Sequence, residues 1–169
     1  MTDVKQPIIV MGVQGCGKST VGQALADSRG MRFLDGDSLH SAEAKEKMAS
    51  GHPLTDVDRL PWLTRIAETI AEALDNGDPL VVACSALKVS YRDMMRDIVP
   101  SLYFVQLEGS QALIAERLSH RNHEYMPPTL LDSQFATLEP LTSVEAGVRV
   151  DLTRSPAEIV GLITTQIGQ

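Results

Sequence analysis

The chain has 169 residues but only two cysteines, Cys16 and Cys84, so no disulfide framework holds it together. It lacks positive charge as well. Its formal net charge is −7, whereas a nucleic-acid binder needs a basic face. No stretch of 18 apolar residues is present, and the opening Thr2-Asp3-Val4-Lys5-Gln6-Pro7 is polar and unlike a signal segment. Internal repeats, low-complexity tracts and linkers are also missing. These absences leave one soluble, cytoplasmic domain over 1–169 as the expectation, with neither nucleic acid nor membrane as partner. At 43% hydrophobic residues the chain can fill a core of that size.

What is present is concentrated near the start. Gly12-Val13-Gln14-Gly15-Cys16-Gly17-Lys18-Ser19 has the form G-x-x-x-x-G-K-S. An apolar run, Ile8-Ile9-Val10-Met11, precedes it, and a helical pattern from Thr20 follows. Strand, glycine loop and helix form the context in which this motif cradles a nucleoside triphosphate. Gly12, Gly15 and Gly17 permit backbone angles that a Cβ would hinder and let amides approach phosphate. The backbone through Cys16 and Thr20 completes the cradle at the positive end of a helix. Lys18 supplies a mobile charge for the β- and γ-phosphates, and Ser19 a hydroxyl for Mg²⁺. Cys16 reads as a small loop filler, with an oxidant-sensing thiol as the alternative.

Apolar runs alternate with helical patterns along the rest of the chain. Strands are expected at 8–11, 32–34, 80–84, 103–107 and 148–152, each short and unbroken enough to be covered on both faces. Leu63, Ile66, Ala67, Ile70, Ala71 and Leu74 keep a helical period, with Pro61 in the opening turn. Leu113, Ile114 and Leu118 mark another helix. Ser155-Pro156-Ala157-Glu158 is a capping box that opens the last one. The alternation predicts a three-layer α/β sandwich on a five-stranded parallel sheet, with ligands beyond the carboxyl ends of the strands.

Chemistry-bearing residues follow those strands. Asp35-Gly36-Asp37 sits after the second. Asp35 is expected in the Mg²⁺ shell and Asp37 on a substrate hydroxyl as orienter or general base, while a plain Asx-Gly turn explains the pair equally well. His40 is expected at the surface or on substrate. Arg59 suits a carboxylate as a fork, or else pairs with Asp56 or Asp58. After the third strand no aspartate appears, which returns the metal's carboxylate role to Asp35. Ser85, Lys88 and Arg92 stand where an acceptor belongs, although Arg92 can instead pair with Asp93 or Asp97 on a helix surface. Arg117 and Arg121 lie at i and i+4 before a proline-bearing loop, which suits a lid at about 117–134. There Arg117 would stack on adenine and Arg121 would neutralise the transferring phosphoryl group, the alternative being a solvated basic helix end.

With those residues in view, the chain resembles the gluconate kinase family. The matching stretches are 11–19, 33–40, 47–62, 84–88 with 91–93, 117–121 and 131–140, nearly the whole length. The resemblance implies transfer of the ATP γ-phosphate to the 6-hydroxyl of D-gluconate. It also implies a fold like shikimate and nucleoside monophosphate kinases, a mobile lid and often a homodimer. The family's phosphate and Mg²⁺ roles fall on Gly17, Lys18 and Ser19, and its substrate-side aspartate on Asp37. The chain departs from the family's Arg-x-x-His-Phe-Met lid, with His123 one place early and Glu124-Tyr125 following. A shikimate or nucleotide kinase of the same fold is the nearest rival. A non-catalytic ATP sensor is a more distant one, since mere binding needs neither the Asp-Gly-Asp pair nor lid arginines.

Overall fold

The computed structural model describes residues 5–52, 54–119 and 128–167. Five parallel strands run β1 (Ile8–Met11), β2 (Arg32–Asp35), β3 (Leu80–Ala83), β4 (Tyr103–Glu108) and β5 (Gly147–Asp151). Their order in the sheet is β2-β3-β1-β4-β5. Helices α1 (Lys18–Arg29), α2 (Ala42–Ala49), α3 (Asp56–Asp75), α4 (Val89–Ile98), α5 (Gln111–Ser119), α6 (Pro128–Thr137) and α7 (Pro156–Ile167) connect them.

The central strand β1 is buried along its whole length. Its alternate side chains feed two cores, as strand geometry requires. Ile9 and Met11 join Trp62, Leu63, Ile66, Ile70, Tyr91 and Met95 under α3 and α4. Ile8 and Val10 join Leu25, Val81, Val105, Ile159 and Ile163 under α1 and α7. The sheet is thus sandwiched as expected. Two strands depart from the expected double cover: β2 and β5 are edges, and most of their residues are half-buried or exposed.

Helix α3 also departs from the sequence expectation. It begins at Asp56, so Pro61 lies inside it and not in its opening turn. Thr55 fixes the earlier start: its hydroxyl accepts from Asp58 N while the Asp58 carboxylate accepts from Thr55 N, a reciprocal cap. Pro61 has no N–H to offer the carbonyl of Val57. Val57 is at the surface, where water can take that carbonyl.

The strand order reverses direction at β1. The chain moves out to β2, returns through β3 to β1's side, then crosses to β4. Such a switch point opens a crevice at the carboxyl ends of the strands. The loops after β1, β2 and β3 meet there.

Candidate active site

Between β1 and α1 the chain passes through the phosphate loop. Gly12 has φ +148°, and a Cβ on it would lie 2.7 Å from Cys16 Sγ, so only glycine fits. Gly17, at φ +96°, is the N-cap of α1 and leaves the first amides of that helix facing the loop. Lys18 Nζ donates to the carbonyls of Gly12 (3.1 Å) and Val13 (2.9 Å), which holds its charge within the cradle. Cys16 is buried, which leaves its thiol to packing and makes the oxidant sensor untenable. Ser19 and Thr20 open the first turn of α1 at the surface.

The second loop supplies the acids. Asp35 caps a short 3-10 helix, Gly36–Leu39, by accepting from Asp37 N at 3.0 Å through Oδ1. Its other oxygen, Oδ2, lies 3.3 Å from Ser19 Oγ. One oxygen of the carboxylate thus makes the turn, and the other stays beside the Ser19 hydroxyl. Gly36 lets this loop press on β3, since a Cβ would lie 2.5 Å from the Ala83 carbonyl. Trp62 Nε1 donates to Gly36 O at 2.9 Å and fastens the loop to α3.

A cleft of about 240 Å³ opens beside these loops. Lys18, Asp37, His40, Arg59, Ser85 and Gln134 are among the residues lining it. Asp37 is half exposed, with Oδ1 3.8 Å from His40 Nε2. His40 is buried and stacks on Trp62, ring centroids 3.9 Å apart. Burial, and then the charges of Arg59, Lys45 and Arg65, push the imidazole down to about 4, so it is neutral at pH 7. His40 is thus an uncharged wall of the cleft.

Arg59 is buried and forms no ion pair with any described residue. Its neighbouring acids are engaged elsewhere. Asp56 accepts from Lys88 Nζ at 3.0 Å and from the Tyr91 hydroxyl. Asp58 accepts from Lys47 Nζ at 2.7 Å and from Thr55. The Lys47 bond, followed by those from Thr55, brings Asp58 down to about 2. A guanidinium in a cleft without its own carboxylate suits an incoming one.

Three residues lie elsewhere. Arg92 is a correction: it is fully buried and neither faces the cleft nor pairs with Asp93 or Asp97. Its guanidinium donates to Glu145, to the Ala86 carbonyl (2.8 Å) and to the Glu139 carbonyl (2.9 Å), which leaves nothing for substrate. Lys88 is tied to Asp56, lies 5.5 Å from the Tyr91 ring centroid and is absent from the cleft lining. Arg117 is exposed, and one of its terminal nitrogens donates to Leu152 O at 3.3 Å, just past β5. Arg121, His123, Glu124 and Tyr125 fall outside the described residues.

Several contributors escaped the sequence reading. Gln134 and Lys45 line the cleft, and Trp62 anchors the acidic loop. Trp62 and Gln134 stood in stretches already matched to the family, but nothing in those stretches gave them a partner. Among the described residues no group of three or more His, Cys, Asp or Glu is gathered for a metal. The hard oxygens of Ser19 and Asp35 fit an ion such as Mg²⁺, which takes few protein ligands and completes its shell with phosphate and water.

Comparison with known proteins shows the family of the chain. A family model described as an AAA domain matches residues 8–141. A gluconokinase of Gluconobacter oxydans is 42% identical over 149 residues, covering 88% of this chain and 84% of that protein. The crystal structure of a gluconokinase from Sinorhizobium meliloti superposes with a TM-score of 0.87 at 45% identity, covering 98% of this chain and 93% of the other. A sugar kinase from Janibacter superposes at 0.92 and 40% identity, covering 96% and 94%. A shikimate kinase from Bacteroides thetaiotaomicron shares the fold alone, at a TM-score of 0.70 and 15% identity, covering 97% and 99%.

Proposed function

The chain belongs to the gluconokinase family, and from that membership we propose that it transfers the γ-phosphate of ATP to the 6-hydroxyl of D-gluconate, yielding 6-phosphogluconate. The observation that carries the reading is the pairing of a phosphate cradle with Asp37 and with an Arg59 that has no ion pair among the described residues, across one cleft. A phosphate tail needs the first wall; a polyol with a carboxylate needs the second.

The residues divide the work. The amides of 12–20 and Lys18 hold the triphosphate. Arg59 grips the sugar-acid carboxylate as a fork, and Ser85 adds a hydroxyl beside it. Asp37 orients the accepting hydroxyl and draws off its proton. Neutral His40 stacked on Trp62 offers a wall that neither repels the arginine nor competes for the acid. Ser19 and Asp35 would hold Mg²⁺, which when bound neutralises charge on the β- and γ-phosphates. Arg117 and Arg121, on a lid at about 117–134, close on the nucleotide and shed water. Because the terminal phosphoryl needs little covalent help, positioning and electrostatics supply most of the rate.

The proposal extends to a homodimer and a cytoplasmic location, to be read by sedimentation and by fractionation. The chemistry itself is tested by ADP release in the presence of Mg²⁺ with D-gluconate, other sugar acids, shikimate and nucleoside monophosphates. Gluconate-dependent turnover is the expected result. Turnover with shikimate or a nucleotide alone would reassign the acceptor, and ATP binding without any acceptor would leave only a nucleotide sensor.

A further inference from the structure

The stretch 131–140 matched the family, yet in the chemistry above Gln134 only lines the cleft and residues 135–140 have no part. Its contacts give it one. In α6, Gln134 Oε1 accepts from the backbone amide of Gln14, inside the phosphate loop, at 2.5 Å. Five residues on, Glu139 makes two bonds to the opposite wall. Its amide donates to Leu87 O at 2.7 Å, and its Oε1 accepts from Val89 N at 2.7 Å, the first residue of α4. The carbonyls of Glu139 and Pro140 accept from Arg92 at 2.9 and 3.4 Å. Leu141 N then donates to buried Gln106 Oε1 at 2.8 Å, which pins the stretch to β4.

The wall that Glu139 holds is the one carrying Ser85. That wall contains Ala86 at φ +43°, a left-handed angle that a residue with a Cβ adopts only under constraint. The constraint is visible: Arg92 holds the Ala86 carbonyl, and Glu139 holds Leu87 and Val89 on its far side. Gly12 N also lies 3.4 Å from Ser85 O, so the two walls touch directly at one weak point. Gln14, Ser85 and Gln134 all line the same cleft.

We infer that residues 134–140 form an alignment strap, in which Gln134 holds the phosphate loop and Glu139 holds the Ser85–Val89 wall, so that one piece of chain sets the donor and acceptor sides in register. Gln134 and Glu139 are positioning residues; neither needs to touch the reacting atoms. This inference rests on the kinase reading. In-line transfer is sensitive to register, since a misplacement of about 1 Å can cost on the order of 100-fold in rate. The strap also explains why an arginine as costly to bury as Arg92 is kept behind this wall.

The test uses Gln134→Ala and Glu139→Ala in the full chain. Both residues are partly exposed, so circular dichroism should report an intact fold. The strap predicts that kcat for gluconate falls about tenfold or more, while KM for each substrate stays within about threefold. In Glu139→Ala, which leaves the Gln134 contact to the phosphate loop in place, slow ATP hydrolysis by water, which needs no aligned acceptor wall, should be unchanged, so the ratio of transfer to hydrolysis drops. Hydrogen exchange should accelerate at the Gln14 amide in the first variant and at the Val89 amide in the second. An unchanged kcat, a rise in KM at constant kcat, or unchanged exchange at those amides would each overturn the strap. Absence of gluconate turnover in the unaltered protein would strike the functional reading instead, and the exchange measurement would still judge the strap.

Discussion

Arg92 and Glu145 meet in the interior as a fork on a carboxylate, Nε to Oε1 at 2.7 Å and a terminal nitrogen to Oε2 at 3.1 Å. Arg96 adds a third bond to Oε1 at 2.7 Å, and Thr142 N a fourth to Oε2 at 2.8 Å. Breaking a buried pair strands a charge. Arg92→Ala is therefore expected to cost about 3–5 kcal/mol, read as a lowered urea midpoint at unchanged slope. A loss below about 1 kcal/mol would mean that Glu145 finds water or Arg96 sufficient.

The same cluster sets an acid limit. Burial works against the ionised form of Glu145, but the bonds from Arg92, Thr142 and Arg96 prevail and hold it at about 2, down from an ordinary 4.5. A carboxylate depressed in the folded state contributes stability above 4.5 that fades as pH falls toward 2. His40 adds a second window. Folded, it titrates at about 4; unfolded, near 6.5, so the unfolded chain takes its proton first and stability falls from pH 6.5 toward 4. Urea midpoints across pH should decline through both windows, and His40→Gln should flatten the upper one.

Asp37→Asn keeps the shape of the cleft and removes the base. Turnover is expected to fall by about 10²–10⁴, with ATP binding preserved, as read by coupled kinetics and nucleotide titration. Retained turnover would demote Asp37 to a turn residue.

Arg59→Lys keeps a positive charge but loses the fork. KM for gluconate is expected to rise about tenfold to a hundredfold, with KM for ATP little altered. Steady-state kinetics with both substrates varied will separate the two.

Gly36→Ala puts a Cβ 2.5 Å from the Ala83 carbonyl, a backbone atom that cannot step aside. The acidic loop must then shift, and both Asp35 and Asp37 ride on it. A lowered melting temperature together with a loss of kcat is expected. Normal activity would show that the loop tolerates displacement from β3.

The order of chemical groups along the chain was legible from the residues alone. The phosphate loop, the five strands, the Asp-Gly-Asp turn and the capping box of the last helix are local: each depends on residues within a few positions, where glycine angles, hydroxyl caps and apolar runs act directly. The start of α3 was misjudged because Pro61 is a loud signal and the Thr55–Asp58 cap a quiet one. What each long polar side chain touches was not legible. Arg59 and Arg92 both follow a plausible site motif, yet one faces the cleft and the other is bonded into the interior. Only folding brings Glu145 beside Arg92 and lets Lys47 and Lys88 claim the acids next to Arg59. The strap from Gln134 to the phosphate loop spans 120 residues of sequence and was equally hidden. Local angles belong to the sequence; the choice among competing partners for a charge belongs to the packed structure, because a buried ion must be satisfied by whatever the fold places within about 3 Å of it.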